Sequence, residues 1–158
     1  MALALTDAIQ DYLKEIYKLA ADGERVSTSA LADRQGVSAA SASAMVKKLA
    51  ALGLVELVPY RGVSLTSDGE QVALEVIRHH RLLELYLAQT LGIGVDEVHD
   101  EADRLEHVLS EELEARIDRA LGYPTHDPHG DPIPDADLRW PDEGESTKDA
   151  DSPREPDG

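Results

Sequence analysis

Apolar positions recur three and four residues apart through most of the first 120 residues, and glycines punctuate the runs. Thr6 is placed as the cap of a first helix carrying Ile9, Leu13, Ile16, Tyr17 and Ala20, which ends near Gly23. A short helix over 29–35, a turn at Gly36, a Ser38 cap and a second helix over 39–52 ending at Gly53 form a helix-turn-helix. Val55–Val58 and Val63–Leu65 flank Pro59-Tyr60-Arg61-Gly62, a hairpin that makes a wing. Ser67 and Glu70 have capping-box spacing and open a long helix over 68–90, closed by Leu91-Gly92. One further helix is expected over 95–121, ending at Gly122. The broad apolar faces of these two helices (Val72, Val76, Leu83 and Leu87; Val98, Leu105, Leu109, Leu113 and Ile117) exceed what a small monomer covers, so they imply a helical dimer interface. The fold class is therefore mainly α: an N-terminal winged helix-turn-helix over 1–67 followed by an α-helical dimerisation domain over 68–138.

Composition bounds this picture. With 158 residues and 42% hydrophobic content the chain supports one domain or two small ones. It has no cysteine, which excludes thiolate metal sites and cysteine nucleophiles. Acids at Asp7 and Asp11 interrupt the start before a signal peptide or membrane span is long enough, so a cytoplasmic protein without membrane contact is expected. From Tyr123 onward the chain holds seven of the eight prolines and eleven acids, and is read as extended or disordered, with 139–158 an acidic, proline-rich tail.

The formal net charge of -17 speaks against nucleic acid only if it is evenly spread. It is not: residues 1–24 carry -3, residues 25–67 carry +3, residues 68–122 carry -9 and residues 123–158 carry -8. The basic block coincides with the helix-turn-helix and wing. Its second helix opens with Ser38, Ala40, Ser41 and Ser43, small or hydroxyl residues that allow close approach to a groove, and then turns Lys47 and Lys48 outward. Arg61 sits at the wing tip as a backbone or minor-groove contact. Arg and Gln, the usual bidentate base readers, are missing from the first two turns, so shape readout and phosphate contacts should dominate.

The acidic block carries a different signal. On one helix, His99, Asp103, Glu106 and His107 fall within an arc of about 100°. The stripe borders the apolar arc, where carboxylates need partners. His80 and Glu84 lie one turn apart on the preceding helix, and Asp11 lies at the edge of the first helix's apolar face. Oxygen and imidazole donors without sulfur suit Mn(II), Fe(II), Co(II) or Zn(II).

The stretches RHHRLLELYL (78–87), VHDEADRLEHVLSEELE (98–114) and GYPTHDPHGDPIP (122–134) are more particular than a helix-turn-helix pattern, and in them the chain resembles the diphtheria toxin repressor family, including its manganese transport regulator branch. The likeness covers residues 4 to about 138. It implies a homodimeric winged-helix repressor of metal-uptake genes, with divalent metal bound between the DNA-binding head and the dimerisation helices. Carried over by position, Asp11, Asp103, Glu106 and His107 form the primary site, and His80, Glu84 and His99 the ancillary site. Asp11 and Asp103 stand where iron-responsive members have Met and Cys, which favours Mn(II) over Fe(II) as the divalent cofactor. Lys14, however, stands where the manganese branch has a Glu. Many relatives continue into an SH3-like domain that adds ancillary ligands, so here water or another residue would complete that site.

Two rivals remain at this point. One is a winged-helix regulator that does not respond to metal. The other is a carboxylate-bridged dimetal enzyme, which needs Glu-x-x-His pairs on two helices; no Glu in the chain has His three residues on. A phosphate-binding glycine loop and a serine nucleophile with a histidine base are also missing, so neither enzymatic activity nor a small-molecule substrate is expected.

Overall fold

In the computed structural model, which describes residues 5–20 and 23–142, the Thr6 hydroxyl accepts a hydrogen bond from the Ile9 amide and starts α1 (Asp7–Leu19). Ile9, Tyr12, Leu13 and Ile16 form its buried face. Ser27 caps α2 (Thr28–Gln35), Gly36 closes it in the left-handed conformation, and Ser38 caps α3 (Ala39–Ala51). Strands β1 (Val55–Val58) and β2 (Gly62–Leu65) pair antiparallel, with Val55 opposite Leu65 and Val58 opposite Gly62. Val26 pairs with Val63 on the far edge of the hairpin. A Cβ at Gly62 would stand 2.4 Å from the Val26 carbonyl oxygen, at φ +96°, so only glycine fits there. Leu31, Ala42, Val46, Leu49 and Val63 join the α1 face in one core. The winged helix-turn-helix is thus present as expected.

Helix α4 (Ser67–Leu91) starts one residue earlier than anticipated. Thr66, not Ser67, is the cap: its hydroxyl accepts from the Gly69 amide and donates to the Gly53 carbonyl at 2.8 Å, tying the start of α4 to the end of α3. A Cβ at Gly69 would meet the Leu54 carbonyl oxygen at 1.9 Å, so glycine lets α4 lie against that turn.

The single helix expected over 95–121 is instead two, α5 (Val98–Leu105) and α6 (Glu111–Ala120). The Ser110 hydroxyl accepts from the Leu113 amide and starts the second. The break turns Glu106 inward, where it is 1% exposed, and its carbonyl, which makes no helical bond, meets the His79 ring at 3.2 Å. Leu105 and Leu113, assigned to one buried face, are exposed at 38% and 50%, because the break takes them off a common stripe.

The chain after Tyr123 is not the extended or disordered segment expected but is folded as far as Trp140. Ile133 and Pro134 are buried, with Ile133 packed among Leu82, Leu83, Ala102 and Ile117. Arg78 and Arg81 of α4 donate to the carbonyls of Pro134 and Pro132. Trp140, expected in the tail, stacks on Tyr17 of α1 at 6.2 Å and donates its indole N–H to the Tyr17 hydroxyl at 2.9 Å. This segment straps the helical domain to the head. Residues 143–158 of the expected tail lie outside the described residues.

Candidate metal centre and nucleic-acid face

Three elements converge on one cluster. On α1, Asp11 and Lys14 lie one turn apart and face the helical domain; α4 supplies His80 and Glu84, also one turn apart. Helix α5 carries His99 and Asp103, and the turn after it delivers Glu106 and His107. His107 Nε2 lies 3.0 Å from Asp11 Oδ1 and 3.4 Å from Glu106 Oε1. Asp103 lies 3.2 Å from His80 and 3.4 Å from His99, while Glu106 reaches His80 through its other oxygen. His99 is 3.3 Å from Glu84, which also contacts His80. All seven residues expected as ligands are therefore brought together. By mutual distance Asp11, Glu106 and His107 form one convergent set of donors, and Asp103, at the junction of the two sites, stands with His80 and His99.

Two further residues join them that sequence reasoning did not assign. Asp127 Oδ1 accepts from the amides of His129 and Asp131, both at 2.9 Å, and folds the loop so that His129 Nδ1 stands 2.9 Å from Glu84 Oε2. Glu84, Asp127 and His129 form a third set of convergent donors. The available signal was the polar run His126-Asp127-Pro128-His129-Gly130-Asp131 within a stretch already singled out.

Lys14, which stands where the manganese branch has a Glu, is buried inside the cluster. It is 6% exposed, and its Nζ lies 2.8 Å from Glu106 Oε1, 3.6 Å from Asp103 Oδ1 and 3.9 Å from Asp11 Oδ1. Burial alone would pull its pKa down, but Glu106, Asp103 and Asp11 carry it above the ordinary lysine value. Burial opposes charge on His80 too; the hydrogen bonds it donates to Asp103, Glu106 and Glu84 overcome this and hold His80 up to about 10. Asp103 and Glu106 feel burial as an upward push, yet His80 and Lys14 bring Asp103 down to about 2 and Glu106 below its usual range. Asp11 is raised, chiefly by burial.

A metal fits these residues on the structure's own terms. Glu84 Oε2 is fully buried and makes no hydrogen bond among the described residues, since the nearby His129 nitrogen lies off the hydrogen-bonding direction. An acceptor left in that state, facing imidazoles and a second carboxylate, is what a cation ligand looks like before coordination. Behind the cluster, His79 points away, to Glu114 at 2.7 Å, and Arg78 bridges Glu114 and Asp118; these contacts clamp α4 to α6.

In the head, Ser38, Ala40, Ser41, Lys47, Lys48 and Arg61 are exposed, and Ser43 half-buried. Ser38 Oγ accepts from the Ser41 amide and donates to the Ser41 hydroxyl at 3.0 Å, so the N-terminus of α3 presents hydroxyls at its first turn. Arg61 follows Tyr60, which is fully exposed at the hairpin tip with φ 64°.

A winged head joined to a helical domain, with carboxylates and imidazoles clustered between them, is the arrangement to which comparison with known proteins also points. Residues 4–63 match the family described as "Iron dependent repressor, N-terminal DNA binding domain", and residues 66–135 match "Iron dependent repressor, metal binding and dimerisation domain". The chain belongs to this iron-dependent repressor family, whose members are repressors and not enzymes. It is 38% identical over 146 residues to the diphtheria toxin repressor of Corynebacterium efficiens, covering 89% of this chain and 64% of that protein. It is 38% identical over 130 residues to the iron-dependent repressor IdeR of Mycobacterium leprae, covering 82% of this chain and 56% of that one. Among solved structures, a manganese-dependent transcriptional repressor in complex with manganese is similar at TM-score 0.77 and 51% identity, over 84% of this chain and 61% of that one. The manganese regulator SloR is similar at TM-score 0.69 and 37% identity, over 84% and 65%. The chain thus spans roughly three-fifths of the length of these relatives.

Proposed function

We propose that this chain is a cytoplasmic, homodimeric, metal-dependent repressor that binds operator DNA in response to Mn(II) and controls metal-uptake genes. The observation that carries this reading is the donor set: Asp11 of the head lies 3.0 Å from His107 of the helical domain, which is itself 3.4 Å from Glu106, and the three offer ligand atoms within 4.8 Å of one another, with only oxygen and nitrogen donors in the cluster. Such donors suit a hard divalent ion. Asp11, Asp103, Glu106 and His107 are the primary ligands. His80, Glu84 and His99 are the ancillary ones, to which we add Asp127 and His129 as the residues that complete that site. Residues 1–67 are assigned to the DNA-binding unit and 68–138 to metal binding and dimerisation, with Leu105, Val108 and Leu113 among the exposed apolar side chains available to a second copy.

A divalent ion held by Asp11, Asp103, Glu106 and His107 would supply a positive charge shared between α1 and the helical domain. Asp11 transmits this to DNA, because α1 packs in the same core as α2 and α3; where Asp11 is held relative to α5 sets the direction in which α3 points. In a dimer, two heads so fixed stand at one spacing and match successive major grooves. Ser38, Ala40, Ser41 and Ser43 approach the groove, Lys47 and Lys48 take phosphate, and Arg61 extends from the wing.

A second reading within the same family is an Fe(II)-responsive repressor. His80, His99 and His129 around Glu84 make a nitrogen-rich set that suits iron, and curated relatives carry the name iron-dependent repressor. The deciding experiment is operator-fragment binding titrated separately with Mn(II), Fe(II), Co(II) and Zn(II) on the wild type and on Asp103→Ala. Stimulation by Mn(II) at the lowest free concentration, lost in Asp103→Ala, supports the proposal. Strongest stimulation by Fe(II) favours the second reading, and unchanged stimulation in Asp103→Ala removes the primary-site assignment.

A further inference from the structure

We propose that Lys14 is the resting occupant of the primary cluster, and that a divalent ion is admitted only by displacing its ammonium. This rests on the metal-dependent reading above. The ammonium lies within 4.0 Å of one oxygen from each of Asp11, Asp103 and Glu106, three of the four primary ligands, and its side chain is 7% exposed. A hard ion bonds carboxylate oxygen at about 2.0–2.6 Å. An ion drawing on the same oxygens therefore stands within the contact radius of an ammonium already 2.8 Å from Glu106, and two cations at that separation repel strongly in a part-buried site. One of them has to leave.

The fold provides somewhere to go. A polar cleft of about 250 Å³, lined by Asp11, Lys14, Glu15, Arg34, Gln35 and Asp103, opens beside the cluster on the side of α2. The four methylenes of Lys14 allow the ammonium to swing into it without moving α1.

The exchange has two consequences. Before it, three carboxylates face one ammonium and are already partly neutralised, so the metal-free cluster does not splay apart. During it, a monovalent ion would replace one positive charge with one and gain nothing, whereas a divalent ion adds a charge. Lys14 thereby raises the threshold against sodium and potassium and reserves the cluster for divalent cations.

The test uses the full-length dimer without DNA. Lysines are acetylated with an amine-reactive ester at limiting times, and each site is quantified by mass spectrometry with and without saturating Mn(II). Lys14 is expected to be the slowest lysine in chelator and to accelerate at least tenfold with Mn(II), while Lys47 and Lys48 stay constant. A Lys14 rate that is unchanged or falls with Mn(II) overturns the proposal. In parallel, Lys14→Gln, which removes the competing charge, should tighten Mn(II) binding in equilibrium dialysis at least tenfold; equal or weaker binding counts against displacement. Should Lys14→Gln not fold in chelator, the labelling of the wild type decides alone. A wild type that binds no Mn(II) defeats the metal-dependent reading itself, whereas Mn(II) binding with Lys14 still unreactive defeats only the exchange.

Discussion

Glu106 and Asp103 sit side by side in one cluster, yet their removal should differ sharply in the metal-free protein. Glu106 has a side chain with 0% exposure that faces Lys14 at 2.8 Å, His80 and His107, whereas Asp103 is 42% exposed and lies 3.6 Å from Lys14. Replacing Glu106 with alanine takes from Lys14, 7% exposed, its nearest counter-charge and from His80, 6% exposed, one of three carboxylate partners. Breaking a buried pair from one side costs about 3–5 kcal/mol. For a chain of this size each kcal/mol moves Tm by about 2–4 °C, so Glu106→Ala should lower Tm by on the order of 10 °C. Asp103→Ala removes a partly solvated carboxylate, for which an exposed-pair value of about 0–1 kcal/mol is the relevant scale. The assay is thermal unfolding by circular dichroism in chelator at neutral pH, with Mn(II)-stimulated operator binding measured alongside. Both variants should lose the stimulation, but only Glu106→Ala should lose the stability. Equal Tm shifts, or a shift under about 1 kcal/mol for Glu106→Ala, would refute the placement of Glu106 as the electrostatic hub.

Three other outcomes follow from the same geometry. His79 and His80 have pKa values raised above 6.5, the latter to about 10, so their stabilisation is full below 6.5 and is lost as pH climbs towards 10. Glu106, lowered from 4.5, and Asp103, lowered from 3.8 to about 2, contribute above those values and lose their contribution on acidification. Tm in chelator should therefore peak between about pH 4.5 and 6.5, and a flat profile from 6.5 to 9 would contradict the His80 environment. His129→Ala should remove one Mn(II) per chain in equilibrium dialysis while leaving the primary ion in place; full stoichiometry in the variant would exclude His129 as a ligand. Trp140→Ala deletes the stack on Tyr17 and the contact with Arg81, 5.6 Å from the ring, and should cost about 1 kcal/mol in urea unfolding; an unchanged midpoint would show that the strap does not hold the head.

The head was legible in the sequence because its signals are local: Thr6 and Ser38 cap as expected, and Gly36 and Gly53 close the helices they follow. That these seven residues would converge was legible for a related reason, since one-turn spacings such as His80 with Glu84 survive whatever the helix packs against. The break after Leu105 was not, because no proline or glycine marks it; the marker is Ser110 ahead of three acids in the first turn of α6, a cap that an uninterrupted apolar period hides. The folded segment after Tyr123 was missed because proline content reads as disorder, whereas Pro132 and Pro134 give up no donor that the fold needs and offer carbonyls to Arg81 and Arg78. The resemblance marked Lys14 as standing where the manganese branch has a Glu, but its burial was not legible, because nothing local distinguishes a lysine enclosed by distant carboxylates from a solvated one.

The central claim is that Asp11 couples the head to the helical domain through bound metal. The most direct measurement is the operator affinity of the wild type and of Asp11→Ala, each with chelator and with saturating Mn(II). The wild type should gain at least tenfold on adding Mn(II) and Asp11→Ala should gain nothing, with equal affinities in chelator. A full gain in Asp11→Ala would show that the head is oriented without this residue and would contradict the account.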